Sequence, residues 1–181
     1  MNARSDFVIL QKFNKMEFDL FSRFVFDEKI MNQNLGRVFY YEEAVQFFKM
    51  IVSLNTENSG YGYYKAIENV GPKGECVGMG ALVRNDEFNA VEVEYMVFPE
   101  YWNRGYGTRI LHDLERVMIE TIKNINNIVA VVDPMNVYSK KILNSNKFTF
   151  EKEYINPDGD KVELYMKEVK NTINVTFNQP T

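Results

Sequence analysis

The residues best suited to chemistry lie between positions 92 and 108. Pro99-Glu100-Tyr101-Trp102-Asn103-Arg104-Gly105-Tyr106-Gly107-Thr108 separates a stretch of alternating apolar residues from a stretch with helical spacing. Two glycines one residue apart let the backbone curl so that successive N–H groups point at one spot. At a helix N-terminus such a curl is an anion nest, reinforced by the helix dipole. Arg104 adds a full positive charge and Thr108 a hydroxyl, so a phosphate or pyrophosphate is the natural occupant. The competing explanation is a strand-to-helix turn that merely needs small residues.

Glu92 and Glu94 precede this turn. Strand alternation puts both carboxylates on one face, about 7 Å apart, and Val93, Tyr95 and Val97 on the other. Neighbouring carboxylates beside a covered cleft raise one another's pKa, which suits a general base acting directly or through water. The alternative is an ordinary polar strand face in solvent.

The elements that must position these groups follow from periodicity. Phe7–Gln11 reads as a first strand, and helices are predicted over Lys15–Lys29 and Glu42–Val52. Leu54–Gly62 reads as a loop. Tyr63–Glu68, Cys76–Val83 and Ala90–Phe98 read as consecutive strands, with turns at Gly71–Gly74 and Asn85–Glu87. A helix over Gly105–Ile122 carries Ile110, Leu114, Val117 and Met118 on one stripe, and Ile128–Val132 is a continuous apolar strand. A short helix, Asn136–Ser145, precedes a hairpin, Phe148–Tyr154 and Lys161–Met166, that turns at Asn156–Gly159. The strand-helix-strand unit from Ala90 to Val132 implies two parallel strands within a mixed sheet, an α/β (α+β) domain.

Composition narrows the function classes. The 181 residues are 45% hydrophobic and 25% charged, as expected of one globular domain, here drawn at 1–170 with a tail at 171–181. A single cysteine, Cys76, and a single histidine, His112, argue against a disulfide framework or a structural zinc site, so no metal is expected. His112 falls on the polar side of its helix, and Cys76 reads as a structural thiol. No run approaches the ~20 apolar residues of a membrane span, and no signal-peptide pattern opens the chain, so a cytoplasmic protein without a membrane partner is expected. The net charge of −4, with basic residues dispersed, argues against a nucleic-acid partner. A homodimer is allowed for.

Two familiar phosphate loops fail. A P-loop needs Lys-Ser/Thr after the second glycine, and a Rossmann fingerprint needs a glycine where Ile110 stands. The frame Trp102-Asn103-Arg104-Gly105-Tyr106-Gly107 resembles instead the Gln/Arg-x-x-Gly-x-Gly/Ala motif of the GNAT N-acetyltransferases, with Trp102 in place of Gln/Arg. Tyr-Trp-x-Arg-Gly-Tyr-Gly-Thr is similar to the branch of Rim-type ribosomal-protein N-terminal acetyltransferases. Leu35-Gly36, Glu42-Glu43-Ala44 and Phe47-Phe48 resemble that branch's N-terminal helices, and Asn136-x-x-Ser139-x-x-Ile142-Leu143 with Phe148 resembles its later cofactor-contacting helix. Lys147 replaces a glycine usual before that phenylalanine, with Asn146 the expected left-handed residue.

The resemblance implies a GNAT fold, acetyl-CoA as co-substrate, and a primary amine as acceptor: a protein N-terminus, polyamine, amino acid or aminoglycoside. It implies a cleft where Ala90–Phe98 splays from Ile128–Val132, with backbone groups of Met96 and Val97 free for the pantetheine and thioester. Trp102 through Thr108 would hold the pyrophosphate, and Asn136, Ser139 and Lys141 (with Lys140) would contact the cofactor. Glu92 matches the glutamate preceding Ile-Gly-Tyr in the branch, which makes it the favoured base over Glu94. The tyrosine that protonates the thiolate in many members corresponds to Leu143, so that role does not carry over, and Tyr138 is poorly spaced to replace it. The acceptor is expected between the N-terminal helices and the C-terminal hairpin. The alternative is a degenerate GNAT module that binds acyl-CoA as a sensor.

Overall fold

Alternating and continuous apolar runs dictate a layered sheet, and the computed structural model, which describes residues 8–57, 59–68 and 74–169, contains one. Strands β1 (Val8–Lys12), β2 (Gly62–Glu68), β3 (Cys76–Asn85) and β4 (Ala90–Val97) are antiparallel neighbours. β4 pairs in parallel with β5 (Asn127–Val132), to which β7 (Lys161–Glu168) adds antiparallel, leaving β6 (Thr149–Ile155) at the edge. The seven-stranded order is β1-β2-β3-β4-β5-β7-β6.

Each face is buried by helices whose apolar stripe matches it. On one face α4 (Tyr106–Thr121) presents Ile110, Leu111, Leu114 and Met118 to Val91, Val93, Ile128 and Ala130, and α5 (Val137–Ser145) adds Leu143. Each such aliphatic side chain contributes roughly 1.5–3 kcal/mol when fully buried, so the stripe sets how α4 lies on the sheet. On the other face α1 (Phe18–Val25), α2 (Glu28–Met31) and α3 (Tyr41–Asn55) gather Phe21, Phe24, Phe48 and Ile51 over Tyr63, Met79 and Ala81. A smaller cluster, Ala90, Val129 and Leu164 with Phe88 and Tyr154, forms beside the hairpin.

Several expectations are corrected. The helix predicted over Lys15–Lys29 is broken, because Asp27 takes an extended backbone and its carboxylate accepts from the Ile30 N–H at 3.0 Å, starting α2 afresh. α3 runs past the predicted Val52 to Asn55, whose side chain donates to the carbonyls of Phe13 and Tyr63. At the end of α5 the left-handed residue is Lys147 (φ 68°), not Asn146 (φ −106°). Phe148 donates to the Leu143 carbonyl, the closing bond of a Schellman cap, while the Asn146 side chain meets His112 at 2.5 Å. Phe7, the turn residues 71–73 and the tail 171–181 lie outside the described residues.

Candidate active site

The glycine turn is seated at the start of α4, as the residue types require. Pro99–Tyr101 forms a 3₁₀ turn, Asn103 is left-handed (φ 57°), and Gly105 is the left-handed N-cap (φ 81°). A Cβ at Gly105 would meet nothing, so its demand for glycine is conformational, a saving of about 1–2 kcal/mol. No side chain caps α4, and the first bond into the helix is from Arg109 to the Gly105 carbonyl. Tyr106, Gly107 and Thr108 therefore keep N–H groups unpaired among the described residues, which is what an anion site at a helix N-terminus needs. A pyrophosphate fits this turn.

These N–H groups open into a cavity of about 550 Å³. Its existence follows from the strand register. β4 and β5 pair only through Val91 with Ile128 and Glu92 with Val129. Beyond Glu92 the strands diverge, and β4 keeps its β3 partner while its other edge borders the cavity. Met96 and Val97 line it from β4, and Trp102, Asn103, Gly105, Tyr106, Gly107 and Thr108 from the turn. Asn136, Ser139 and Lys141 line it from α5 and its N-terminal approach.

Three details differ from expectation. The Val97 carbonyl is not free, because the Trp102 indole N–H donates to it at 2.8 Å. Tryptophan at this position thus fastens the turn to the end of β4. Arg104 does not line the cavity; its guanidinium lies over the rings of Tyr101 and Tyr106, 5.1 and 5.6 Å from their centroids. Lys140 is committed to Glu163 (3.0 Å) and the Pro134 carbonyl (2.9 Å), which leaves Lys141 as the lysine of α5 at the cavity.

Asn136 and Ser139 are also engaged within the protein. The Asn136 carbonyl oxygen caps α5 by accepting from the Ser139 N–H at 3.0 Å, and its amide donates to the Gln33 carbonyl at 2.7 Å. The Ser139 hydroxyl donates to the Tyr95 hydroxyl at 3.0 Å. Together these bonds draw β4, α5 and the segment after α2 around the cavity. Tyr95, Ile30, Gln33 and Asn34 line it and were not singled out from the sequence. Alternation did place Tyr95 opposite the glutamates, but nothing local showed that this part of β4 borders a cavity. Burial pushes the Tyr95 phenol up to about 12. Tyr138 lines the mouth and is exposed, whereas Leu143 is fully buried in the core.

Glu92 and Glu94 do not line the cavity; they lie on the sheet face covered by α1–α3 and flanked by the hairpin. Both keep partial exposure. Glu92 accepts from the Asn85 amide at 2.8 Å, and burial raises its carboxyl above the ordinary value. Glu94 has no hydrogen bond among the described residues, and burial reinforced by the Glu92 charge pushes it up to about 7. Cys76 is inert by comparison: burial pushes its thiol up to about 11. His112 is exposed, as expected of the polar side of α4.

Residues 8–149 match the acetyltransferase (GNAT) domain family, and the chain belongs to that family of acetyltransferases. Among solved structures it is similar to the aminoglycoside acetyltransferase AAC(6')-Ib in complex with coenzyme A (13% identity, TM-score 0.72, covering 89% of this chain and 94% of that one). It is similar to RimL, a ribosomal-protein alpha-N-acetyltransferase in complex with coenzyme A (17%, TM-score 0.71, 93% and 98%). It is also similar to spermidine N-acetyltransferase from Vibrio cholerae in complex with CoA and spermine (13%, TM-score 0.70, 91% and 96%). At these identities the likeness is one of fold. No curated protein matches by sequence. Among the described residues no helix is long and apolar enough to cross a membrane.

Proposed function

We propose that the chain transfers the acetyl group of acetyl-CoA directly to a primary amine within a ternary complex. The observation that carries this is the parting of β4 from β5 after Glu92 and Val129, with the uncapped start of α4 at the resulting cavity and Glu94 two residues before Met96, which lines that cavity from Glu94's own sheet face. The relatives named above, whose acceptors are an aminoglycoside, a ribosomal protein and a polyamine, support an amine acceptor.

Acetyl-CoA would supply an acetyl group activated as a thioester. The N–H groups of Tyr106, Gly107 and Thr108 hold its pyrophosphate, with Arg104 as nearby cation and Lys141 at the mouth. The unpaired edge of β4 near Met96 aligns the thioester, and a backbone N–H there stabilises the oxyanion; one such donor is worth about 3–4 kcal/mol. As the amine nitrogen bonds to the acetyl carbon and the carbon–sulfur bond breaks, Glu94 takes the amine proton, directly or through water. The sulfur leaves as thiolate and takes its proton from solvent, in keeping with a buried Leu143 where many GNAT enzymes carry a tyrosine. A lysine-like amine costs roughly 4.6 kcal/mol to deprotonate at pH 7, against about 1 kcal/mol for an α-amine, so a base near neutrality suits the harder substrate. Glu94 is preferred to Glu92 because it lies past the last β4–β5 pair and is bound by no neighbour, whereas Asn85 holds Glu92.

Buried Leu143 is also what a non-catalytic acyl-CoA sensor would tolerate. Calorimetric titration with acetyl-CoA, with ATP and NAD as controls, tests the cofactor. Thiol release with an amine panel separates enzyme from sensor. Absent acetyl-CoA binding by the folded protein would overturn both readings.

A further inference from the structure

Tyr95 places in the cavity a hydroxyl that the fold only half uses. Its ring packs on the α4 side of the sheet, and a Cβ on Gly107 would stand 3.7 Å from it. The hydroxyl reaches α5, where it meets the Ser139 hydroxyl at 3.0 Å. Two hydroxyls carry two protons, and the bond between them uses one. The other has no acceptor among the described residues, and both side chains line the cavity. With Ser139 donating to Tyr95, the spare proton belongs to the phenol.

The strand register defines what passes this hydroxyl. The Phe98 N–H donates to the Val77 carbonyl at 3.0 Å, and Met96 stands opposite Met79 in the same ladder. Antiparallel strands turn successive residues toward opposite neighbours, so the backbones of Glu94, Met96 and Phe98 bond β3 while those of Tyr95 and Val97 face the cavity. Trp102 occupies the Val97 carbonyl, which leaves the Val97 N–H and both backbone groups of Tyr95 for a thioester. The arm that joins a pyrophosphate at the start of α4 to this edge runs between Gly107 and β4, past the Tyr95 ring. Its amides stay neutral throughout, whereas its sulfur gains charge as the acyl group leaves.

Full proton transfer from Tyr95 to that sulfur is unfavourable. Burial pushes the phenol up to about 12, whereas a thiol titrates near about 8.5, so the phenol keeps its proton in front of a thiolate. It remains a donor, and a hydrogen bond to an ionised acceptor is roughly twice as strong as one between neutral groups. The bond from Ser139 polarises the phenol in the same direction. The other titratable side chains of the cavity wall are Tyr101, Tyr106, Tyr138 and Lys141. Tyr101 and Tyr106 donate to Glu75 and Glu68, and Tyr138 and Lys141 are exposed at the mouth.

We infer that Tyr95 is a catalytic residue that donates a hydrogen bond to the sulfur as the carbon–sulfur bond breaks, and that Ser139 aims it. The electron pair of that bond stays on sulfur, no proton leaves the phenol, and the thiolate is protonated later from solvent. The inference rests on the cavity being the acetyl-CoA site.

The test is calorimetric titration with CoA and with acetyl-CoA at about pH 6 and about pH 9.5, on either side of the free thiol's own titration. Acetyl-CoA has no ionisable thiol, so the ratio of the two affinities cancels protein titrations that both ligands share. In wild type the ratio is expected to move toward CoA by about ten-fold or more as pH rises, the size of one charge-assisted bond. Tyr95→Phe, which keeps the ring beside Gly107, abolishes this shift and leaves acetyl-CoA affinity unchanged. It also lowers kcat by about ten-fold or more with whichever amine is turned over. Ser139→Ala diminishes the shift without abolishing it. A wild-type ratio that ignores pH, a shift or a kcat that survives intact in Tyr95→Phe, or an undiminished shift in Ser139→Ala would each overturn the inference. Absent acetyl-CoA binding by the folded protein overturns the cofactor reading instead, and the acetyl-CoA titration tells the two failures apart.

Discussion

Replacing Glu94 with glutamine separates the chemistry of the proposed base from its cost to the fold. The carboxyl is raised from 4.5 to about 7, chiefly by burial and then by Glu92. A raised carboxyl is favoured protonated by the fold, so its stabilising form is fully present below about 4.5 and lost as pH rises through about 7. Holding it ionised well above that range costs at most about 3.5 kcal/mol, at ~1.4 kcal/mol for each pH unit of displacement. Glu94→Gln removes this cost. The variant is expected to melt several degrees higher than wild type at about pH 8 and to match it at about pH 4, where both side chains are neutral. Activity moves the other way. Loss of a general base lowers turnover by about 10²–10⁴-fold. Wild-type turnover, followed by thiol release across pH, falls about ten-fold per unit below neutrality, and the residual activity of the variant lacks that limb. Acetyl-CoA affinity stays the same, because Glu94 is not a wall of the cavity. Wild-type turnover and pH profile in the variant would refute the assignment and pass the role to Glu92. Lost activity without the alkaline gain in stability would refute the argument from burial.

Gly107→Trp is expected to abolish acetyl-CoA binding in calorimetry while circular dichroism shows a folded protein. A Cβ there already comes within 2.8 Å of the flexible end of Ile142, and a larger ring fills the nest. Lys147→Gly relieves a left-handed lysine and should stabilise by about 1 kcal/mol, a rise of about 2–4 °C in Tm by thermal melt. Asn136→Ala removes both the cap of α5 and the bond to the Gln33 carbonyl, with an expected loss of about 1–2 kcal/mol in denaturant unfolding.

Much of the turn and helix that border the cavity was legible because their signals are local. Gly105, Gly107 and the stripe from Ile110 to Met118 lie within one helix and its cap, and a backbone nest needs only neighbours in sequence. The break at Asp27 was missed because the apolar spacing of Leu20, Phe21, Phe24 and Val25 runs smoothly into the cap, which one side-chain bond from the Ile30 N–H to Asp27 marks. The engagement of Asn136 with Gln33 joins residues 103 positions apart and leaves no trace in either segment. Alternation did put Glu92 and Glu94 on one face, yet their ranking depended on partners, Asn85 for one and none for the other.

By itself the sequence determined the strand-helix-strand unit, the glycine turn at the start of α4 and the pairing of two carboxylates on one strand face, since each depends on backbone periodicity or on what glycine permits. Tertiary structure alone decided that β4 parts from β5 after Glu92, that β7 rather than β6 pairs with β5, and that Tyr63 stands across Ala81 from Glu94. Those are matters of register and burial between distant segments. The raised carboxyl follows from the same burial, because desolvation depends on which surfaces pack above a residue and not on its neighbours in the chain.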